Sequence, residues 1–241
     1  MDGNDGWSEI AAEWSELWGE FAAPVHGAII REAGIEKGTT VLDVGCGSGE
    51  FLRTLEEWGA DPTGIDPAPG MVALAGPRAR IGDFDDLPWP NDTFDVVTAI
   101  NALQFADDTL DALAEAKRVT VPGGVIAIAN WAEGALNDLD VIERAIADHE
   151  SEDHAPDDDL RRVGGLERLF ADAGVELVAS GVVHLPWRAP DIDTLVRGVL
   201  LGEDADVRAA LTPVIAEAAE PFKSEGYELR NAFRFVVGIA A

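Results

Sequence analysis

Cysteine and long apolar runs are scarce in this sequence of 241 residues. The one cysteine, Cys46, excludes an internal disulfide and any zinc cluster built on cysteines, and a single thiol is typical of a reducing compartment. No run of about 18 apolar residues is present, as a membrane-spanning helix would need. Residues 1–5 are acidic, whereas a signal peptide begins with basic residues. We therefore expect a cytoplasmic protein that does not enter a membrane.

Basic residues are also few. Lysine and arginine number 17 against 46 aspartates and glutamates, which gives a formal net charge of −29. A field this negative repels phosphate backbones and anionic lipids, so we expect a small-molecule partner, with no nucleic acid and no membrane. Self-repulsion on this scale favours the hypothesis of a halophile protein whose charges are screened by salt, against a merely acidic protein. The hypothesis predicts a melting temperature that rises between low and molar salt.

Strand-forming and helix-forming segments alternate between residues 39 and 130, which is typical of βαβ units and a parallel sheet. The predicted strands are residues 40–44, 62–65, 79–81, 94–99 and 125–130. The predicted helices are residues 50–58, 69–75 and 107–119. Pro122-Gly123-Gly124 is expected to end this last helical region before the fifth strand begins.

Beyond residue 130, the sequence predicts a helix over residues 164–173, a strand over 176–185, helices within 191–219 and a closing strand over 230–239. The turn at residues 174–175 and the return of the chain to the closing strand indicate one antiparallel strand added to a parallel sheet. Residues 149–159 predict a solvated charged loop. His149, Glu152, Asp153 and His154 could be drawn there as metal ligands, but a solvated loop is the preferred interpretation and no metal is expected.

Apolar residues recur at intervals of three and four before the first strand, and this spacing predicts an amphipathic helix. They are Trp7, Ile10, Ala11, Trp14, Leu17, Trp18 and Phe21. Packing on the domain core is the preferred interpretation of this apolar face. The alternative is a lid over a ligand, touched by Trp7 or Trp14.

The most informative segment is Val41-Leu42-Asp43-Val44-Gly45-Cys46-Gly47-Ser48-Gly49, an apolar strand that runs into three glycines and opens a helix. Such a turn lets the backbone approach a ligand closely. A dinucleotide site would prefer a third glycine one residue later, where Glu50 would repel a pyrophosphate. A P-loop is excluded because no Lys-Ser/Thr pair follows. A purely structural strand-to-helix turn stays an alternative.

Asp66 ends the second predicted strand. A carboxylate at this place can accept hydrogen bonds from both ribose hydroxyls of an adenosine. Capping of the helix that follows Pro67 is compatible with that role.

These residues belong to a series that resembles the motifs of class I S-adenosylmethionine-dependent methyltransferases, and is most similar to the group containing the ubiquinone and menaquinone C-methyltransferases and many small-molecule enzymes. The similar segments cover roughly residues 35–130 and are Val41 to Gly49, Gly64-Ile65-Asp66, Gly82 to Trp89, Phe94 to Val97 and Arg118 to Gly124. The resemblance implies a Rossmann-like α/β fold with a seven-stranded, mostly parallel sheet and an N-terminal helical cap. It also implies one domain over residues 1–241, with 35–130 as the cofactor-binding core and 1–34 and 131–225 as cap and substrate elements.

The resemblance further implies S-adenosylmethionine as cofactor, with S-adenosylhomocysteine as product. Asp43 and the backbone amides of Gly45, Cys46 and Gly47 would hold its methionine end, and Asp66 its ribose. The adenine would lie along Pro67 or Met71, between the Asp83 carboxylate and the Phe84 amide. Asn101 would lie near the sulfonium with Ala102, Leu103 and Gln104, although an ordinary cap of the turn explains Asn101 and Gln104 nearly as well.

No catalytic residue is assigned, because methyl transfer needs chiefly a positioned nucleophile in a dry site. The candidates for a base are His26, His184, Glu228 and Asn101. The acceptor would be selected by the N-terminal helix and by residues 131–169 and 186–227. Trp131, Trp187 and Phe222 could line its pocket, but core packing is preferred for each.

Two rival functions remain open at this point. An NAD-binding oxidoreductase is disfavoured by the glycine spacing and would be revealed by nicotinamide binding. A protein or regulator that binds the cofactor without turnover would lack an accessible acceptor cavity.

Overall fold

A sheet covered by helices forms the framework of the protein, whose computed structural model describes residues 4–153 and 156–240. The strands are β1 Thr40–Val44, β2 Asp61–Asp66, β3 Ala79–Ile81, β4 Phe94–Ile100, β5 Thr120–Trp131, β6 Val175–Ala189 and β7 Tyr227–Ala240. The helices are α1 Asn4–Trp18, α2 Ala23–Glu32, α3 Glu50–Trp58, α4 Pro69–Ala75, α5 Thr109–Val119, α6 Leu139–Glu150, α7 Gly165–Asp172, α8 Ile192–Val199 and α9 Ala205–Ala219.

The strands form one sheet in the order β3-β2-β1-β4-β5-β7-β6. Strands β1 to β5 pair in parallel, whereas β7 runs antiparallel to both β5 and β6. The predicted seven-stranded, mostly parallel sheet with one antiparallel strand is therefore confirmed. The strand order reverses between β1 and β4, and ligands of such sheets bind in the crevice outside the carboxyl ends of the strands at that point.

Strand β5 shows how the sheet builds two core layers, because successive side chains point to opposite faces. Ala127 and Ala129 belong to a cluster packed with α2, α8 and α9. Ile126 and Ile128 belong to a second cluster, packed with α5 and α7. Both faces are thus covered, as a sheet with parallel strands requires. No helix within residues 4–153 and 156–240 is long and apolar enough to cross a bilayer.

Several boundaries differ from the predictions. Strand β5 begins at Thr120 rather than at residue 125, because the Pro122-Gly123-Gly124 segment is accommodated within the strand at a shift of the β4–β5 register. Helices α2 and α6 were not predicted, and the helical region over residues 191–219 is two helices, α8 and α9. His149, which was predicted to lie in the charged loop, is in the last turn of α6. His154 lies outside the described residues. The domain division stays a prediction.

Candidate functional site

The turn between β1 and α3 approaches the end of β4. Gly45, Gly47 and Gly49 all have positive φ, at 71°, 52° and 87°, a conformation that glycine adopts without strain. A Cβ added at Gly45 would collide with the side chain of Ala102, just beyond β4. A Cβ added at Gly47 would meet no atom within 4 Å. The turn is therefore closed against β4 at Gly45 and open at Gly47.

The backbone amides of this turn are engaged inside the protein. The amides of Gly45 and Cys46 donate to the Ile65 carbonyl at 2.8 and 3.1 Å, and the Gly47 amide donates to the Asp66 carboxylate at 2.9 Å. The three amides thus have acceptors within the protein, and their assignment to the methionine end of the cofactor stays a prediction. Their bonds lock the turn onto the end of β2, so that Gly47 can offer close approach to a ligand.

Asp66 is the anchor of this arrangement at the tip of β2. One of its oxygens accepts the Gly47 amide and the other accepts the Ala68 amide, both at 2.9 Å. An ionised carboxylate has about four acceptor sites, so two remain for a ligand. Burial raises the pKa of Asp66, and the two amide bonds oppose that rise. The helix cap proposed for Asp66 is replaced by these loop contacts, since α4 has Ala68 at its cap position.

Asp43 lies one residue before the end of β1 and is almost fully buried. Its register partner on β4 is Thr98, whose hydroxyl donates to the Asp43 carboxylate at 2.7 Å. Burial raises the pKa of Asp43 to about 7, and the charges of Asp66 and Glu50 add to the rise while the Thr98 bond opposes it. A cation placed beside Asp43 would reverse this effect, because opposite charge favours the ionised form.

The remaining predicted residues follow β3 and β4. The Asp83 carboxylate accepts the amide of its neighbour Phe84 at 2.7 Å. Asn101 adopts a positive φ of 55°, and its side-chain oxygen accepts the Gln104 amide at 3.0 Å. Leu103 is buried in the core, where it does not line the site.

These residues line one cavity of about 390 Å³, within the size range of small-molecule sites. All ten predicted cofactor residues are in its wall: Asp43, Gly45, Cys46, Gly47, Asp66, Pro67, Met71, Asp83, Phe84 and Asn101. We call Asp43, Gly45, Gly47, Asp66 and Asp83 the cavity floor, because they stand at the tips of the strands.

The opposite wall comes from the start of the chain. We call Trp7, Trp14, Trp18, Phe21 and His26 the cavity roof; they lie on α1, on α2 and between these helices, and all line the cavity. Core packing, the preferred interpretation of the amphipathic helix, holds for Trp18, and the lid alternative stays a prediction. Trp18 is part of the main core, while the partly exposed Trp7 closes on Phe105 with ring centroids 5.5 Å apart.

Helix α1 is fastened at both ends. Near its start, the Gly70 amide donates to the Ser8 hydroxyl at 3.2 Å, and a Cβ at Gly70 would collide with the Ser8 backbone. Near its end, the Trp187 indole donates to the Leu17 carbonyl at 2.8 Å. Between them, Glu13 pairs with Arg197 of α8 and Arg208 of α9. The roof is therefore positioned by α4 and by the C-terminal half of the chain.

The structure separates the four candidate bases. His26 and Asn101 line the cavity. His184 is exposed on β6, and Glu228 pairs with Arg188 at 2.8 Å, so neither belongs to the cavity wall. Trp131, Trp187 and Phe222 pack in or against the core, as preferred from sequence. Within the described ranges, no group of three histidine, cysteine, aspartate or glutamate residues is arranged to hold a metal ion.

Sequence reasoning missed several wall residues, among them Phe21, Glu50, Phe51, Phe105 and Phe233, as cavity residues. Glu50 accepts hydrogen bonds from Ser48 and Arg53 at 2.7 and 3.0 Å, which partly neutralises its charge. Its position directly after the third glycine was a usable signal. Phe233, on the last strand, carries no local motif that marks it.

Comparisons with known proteins agree with this geometry. Residues 42–128 match a family model described as a methyltransferase domain. The malonyl-(acyl-carrier protein) O-methyltransferase of Serratia marcescens is 39% identical over 107 residues, 42% of this chain and 42% of that protein. The demethylmenaquinone methyltransferase of Tropheryma whipplei is 34% identical over 113 residues, 43% of this chain and 46% of that protein. The chain thus spans less than half the length of these curated relatives.

Solved structures share the fold over nearly the whole chain. A methyltransferase in a complex with the Haloferax volcanii Trm112 methyltransferase activator has a TM-score of 0.63 and 24% identity, over 99% of both chains. A SAM-dependent methyltransferase from Aquifex aeolicus has a TM-score of 0.59 and 18% identity, over 98% of both chains. At these identities, the likeness shows a shared fold alone.

Proposed function

We propose that this chain is a class I S-adenosylmethionine-dependent methyltransferase, which transfers a methyl group from S-adenosylmethionine to a small-molecule acceptor. The observation that carries the proposal is the convergence of ten separately predicted residues on one cavity at the strand tips. These residues come from four segments of the chain, each next to the end of a different strand. Their meeting at the switch point of the sheet is what a nucleoside site requires.

The floor fits an adenosine that carries a positive charge. Asp66 keeps two acceptor sites after its two amide bonds, which matches the two hydroxyls of a ribose. Gly47 leaves open space beside them. The Asp83 carboxylate keeps acceptor sites beyond the one that the Phe84 amide occupies, so it can accept the amino group of an adenine. In this proposal, Asp43 would serve the charged methionine end.

Charge also separates this proposal from a dinucleotide site. Among the described residues, the cavity wall contains the carboxylates of Asp43, Glu50, Asp66 and Asp83 and no lysine or arginine. A pyrophosphate would be repelled there, whereas a sulfonium would be attracted. This balance favours the methyl donor over NAD.

When bound, the cofactor supplies a methyl group that is already activated by its sulfonium. The protein is left to orient the acceptor and exclude water. The roof serves both needs, since α1 covers the floor and brings aromatic rings over it. An assigned base is not required by this chemistry.

The test has two stages on the full chain. Calorimetric titration with S-adenosylhomocysteine measures binding at the floor, and we expect one site per chain. A screen with methyl-labelled S-adenosylmethionine against neutral, cationic and anionic small molecules then measures turnover. Absence of binding at the first stage contradicts the proposal; binding without turnover on any acceptor class favours the alternative of a non-enzymatic binder.

A further inference from the structure

The roof half of the cavity is aromatic, and its rings pack on one another. Trp18 is fixed from behind by Trp187, whose ring stacks on it with centroids 4.3 Å apart and an interplanar angle of 6°. Phe21 meets Trp18 at 5.1 Å and Phe233 at 5.6 Å, both edge to face. Rings packed on rings in this way form flat walls. Such walls favour a flat, apolar ligand.

His26 is the exception in this aromatic wall. The residue is 5% exposed, and its ring lies 4.7 Å from the ring of Phe51. Neither imidazole nitrogen forms a hydrogen bond or ion pair with any described residue. The imidazole lines the cavity, and its nitrogens are not among the fully buried unpaired atoms, so they are open to a partner from the cavity. A ligand is the natural source of that partner.

The protonation state of His26 restricts the chemical groups that can serve as its partner. Burial alone lowers the pKa of this imidazole to about 4, so the ring is neutral at physiological pH. A neutral imidazole carries one N–H donor and one acceptor nitrogen. A hydroxyl group, which also donates and accepts, matches it. A carboxylate in the same place would lose its hydration without gaining a positive charge.

Charge in the rest of the wall argues in the same direction. The floor carboxylates would repel an anionic acceptor, and no wall residue in the described ranges is a lysine or arginine that would attract one. The Glu50 carboxylate, next to Phe51 in the sequence, already accepts hydrogen bonds from Ser48 and Arg53. The ion pair with Arg53 partly neutralises Glu50 and so weakens the attraction of this wall for a cationic acceptor.

From this arrangement, and resting on the proposed function, we infer that His26 is a specificity-determining residue that hydrogen-bonds the hydroxyl of an uncharged aromatic acceptor of the phenol class. The acceptor's ring lies against the aromatic side chains of the roof and Phe233. This hydrogen bond orients the acceptor, and so His26 determines which atom of the acceptor faces the floor.

Binding of four matched probes tests this inference on the full chain saturated with S-adenosylhomocysteine. The probes are 2-naphthol, naphthalene, 2-naphthoate and 2-naphthylmethylamine, with dissociation constants measured by ligand-observed NMR. We expect 2-naphthol to bind about tenfold tighter than naphthalene, the scale of one hydrogen bond. The naphthoate should bind weakest. A preference for the naphthoate or the amine overturns the inference.

Variants test whether the preference for 2-naphthol over naphthalene comes from His26. His26→Phe should remove the advantage of 2-naphthol over naphthalene, and His26→Gln, which keeps an acceptor, should restore part of it. His184→Gln, an exposed change on β6, should leave all four constants unchanged. Thermal melting establishes that each variant is folded. If His26→Phe keeps the preference for 2-naphthol, the inference is wrong.

Affinity for S-adenosylhomocysteine separates this inference from the proposed function. We expect His26→Phe to bind it within about twofold of the wild type, because the hydrogen bond in question goes to the acceptor. A larger loss would assign His26 to the cofactor's carboxylate and overturn the inference, while the proposed function stands. No binding to the wild-type chain would instead contradict the proposed function.

Discussion

The floor and the roof of the cavity are built on different physical principles. The floor is polar, and its side chains are fixed by short hydrogen bonds at the tips of adjacent strands, such as Thr98 to Asp43. The roof is aromatic, and ring packing and distant ion pairs hold it in place. A change in the floor should therefore act on charge recognition, whereas a change in the roof should act on coverage and acceptor choice.

Among the changes to the floor, Gly45→Ala should have the largest effect on stability and on ligand binding. The added methyl group would collide with Ala102 at a residue whose φ is 71°. Overpacking and backbone strain together should cost about 2–4 kcal/mol of unfolding free energy, and S-adenosylhomocysteine binding should be lost. Gly34→Ala is the matched control, with φ 65° and no atom within 4 Å. It should cost about 1 kcal/mol, measured by urea unfolding, and an equal loss at both sites would refute the close approach.

Asp43→Asn should separate the stability of the floor from its function. Because burial raises the pKa of Asp43 to about 7, the stability that its protonated form contributes is lost as the pH rises from about 4 to 7. The amide variant escapes this loss and should be more stable than wild type at pH 8, by about 2–4 kcal/mol. Urea unfolding at pH 5 and pH 8 measures the difference.

The Asp43→Asn substitution should also lower the affinity for S-adenosylhomocysteine. Wild-type affinity for S-adenosylhomocysteine should rise between pH 6 and pH 8 as Asp43 ionises beside the ligand's ammonium, and the variant should lack this rise. Thr98, Asp66 and Glu50 are the groups that act on the Asp43 carboxylate, and Asp66 and Glu50 are the acidic ones. Calorimetry at three pH values checks the trend; a rise of equal size in the variant would assign it to another group.

Asp66→Ala should weaken S-adenosylhomocysteine binding by about 1.5–3 kcal/mol, the scale of hydrogen bonds to a charged group. The Gly47 and Ala68 amides would also lose their acceptor. Asp61→Ala is the control, since Asp61 stands at the exposed start of the same strand. Its affinity should match wild type in calorimetry. Unchanged affinity in Asp66→Ala would remove this residue from the site.

The floor could be predicted from sequence because its information is local. Asp43 and Gly45 lie two residues apart, Asp66 ends one recognisable strand, and Asp83 follows another. Adjacent strand ends meet wherever a parallel sheet forms, so the positions along the chain already implied the cluster. Bonding within the cluster did not follow from position, and the amides expected for the ligand are used by Ile65 and Asp66.

The roof could be predicted only in part. The periodicity of α1 marked an apolar face but left its partner open. The partners of α1, including Gly70, Trp187 and Arg208, lie far along the chain and are brought to it only by packing. His26 had no sequence signal beyond its residue type, and its importance comes from burial beside Phe51.

The smallest expected effect tests whether the roof depends on its ion pairs. Glu13→Gln would remove the charge that Arg197 and Arg208 share, at 3.1 and 2.8 Å. Partly exposed pairs contribute about 0–1 kcal/mol, so global stability should barely change. Amide hydrogen exchange in α1 should nevertheless become faster, because these contacts fasten that helix locally. Glu9→Gln, an exposed change on the same helix, should leave exchange unchanged. Equal exchange in both variants would mean that ring packing alone holds the roof.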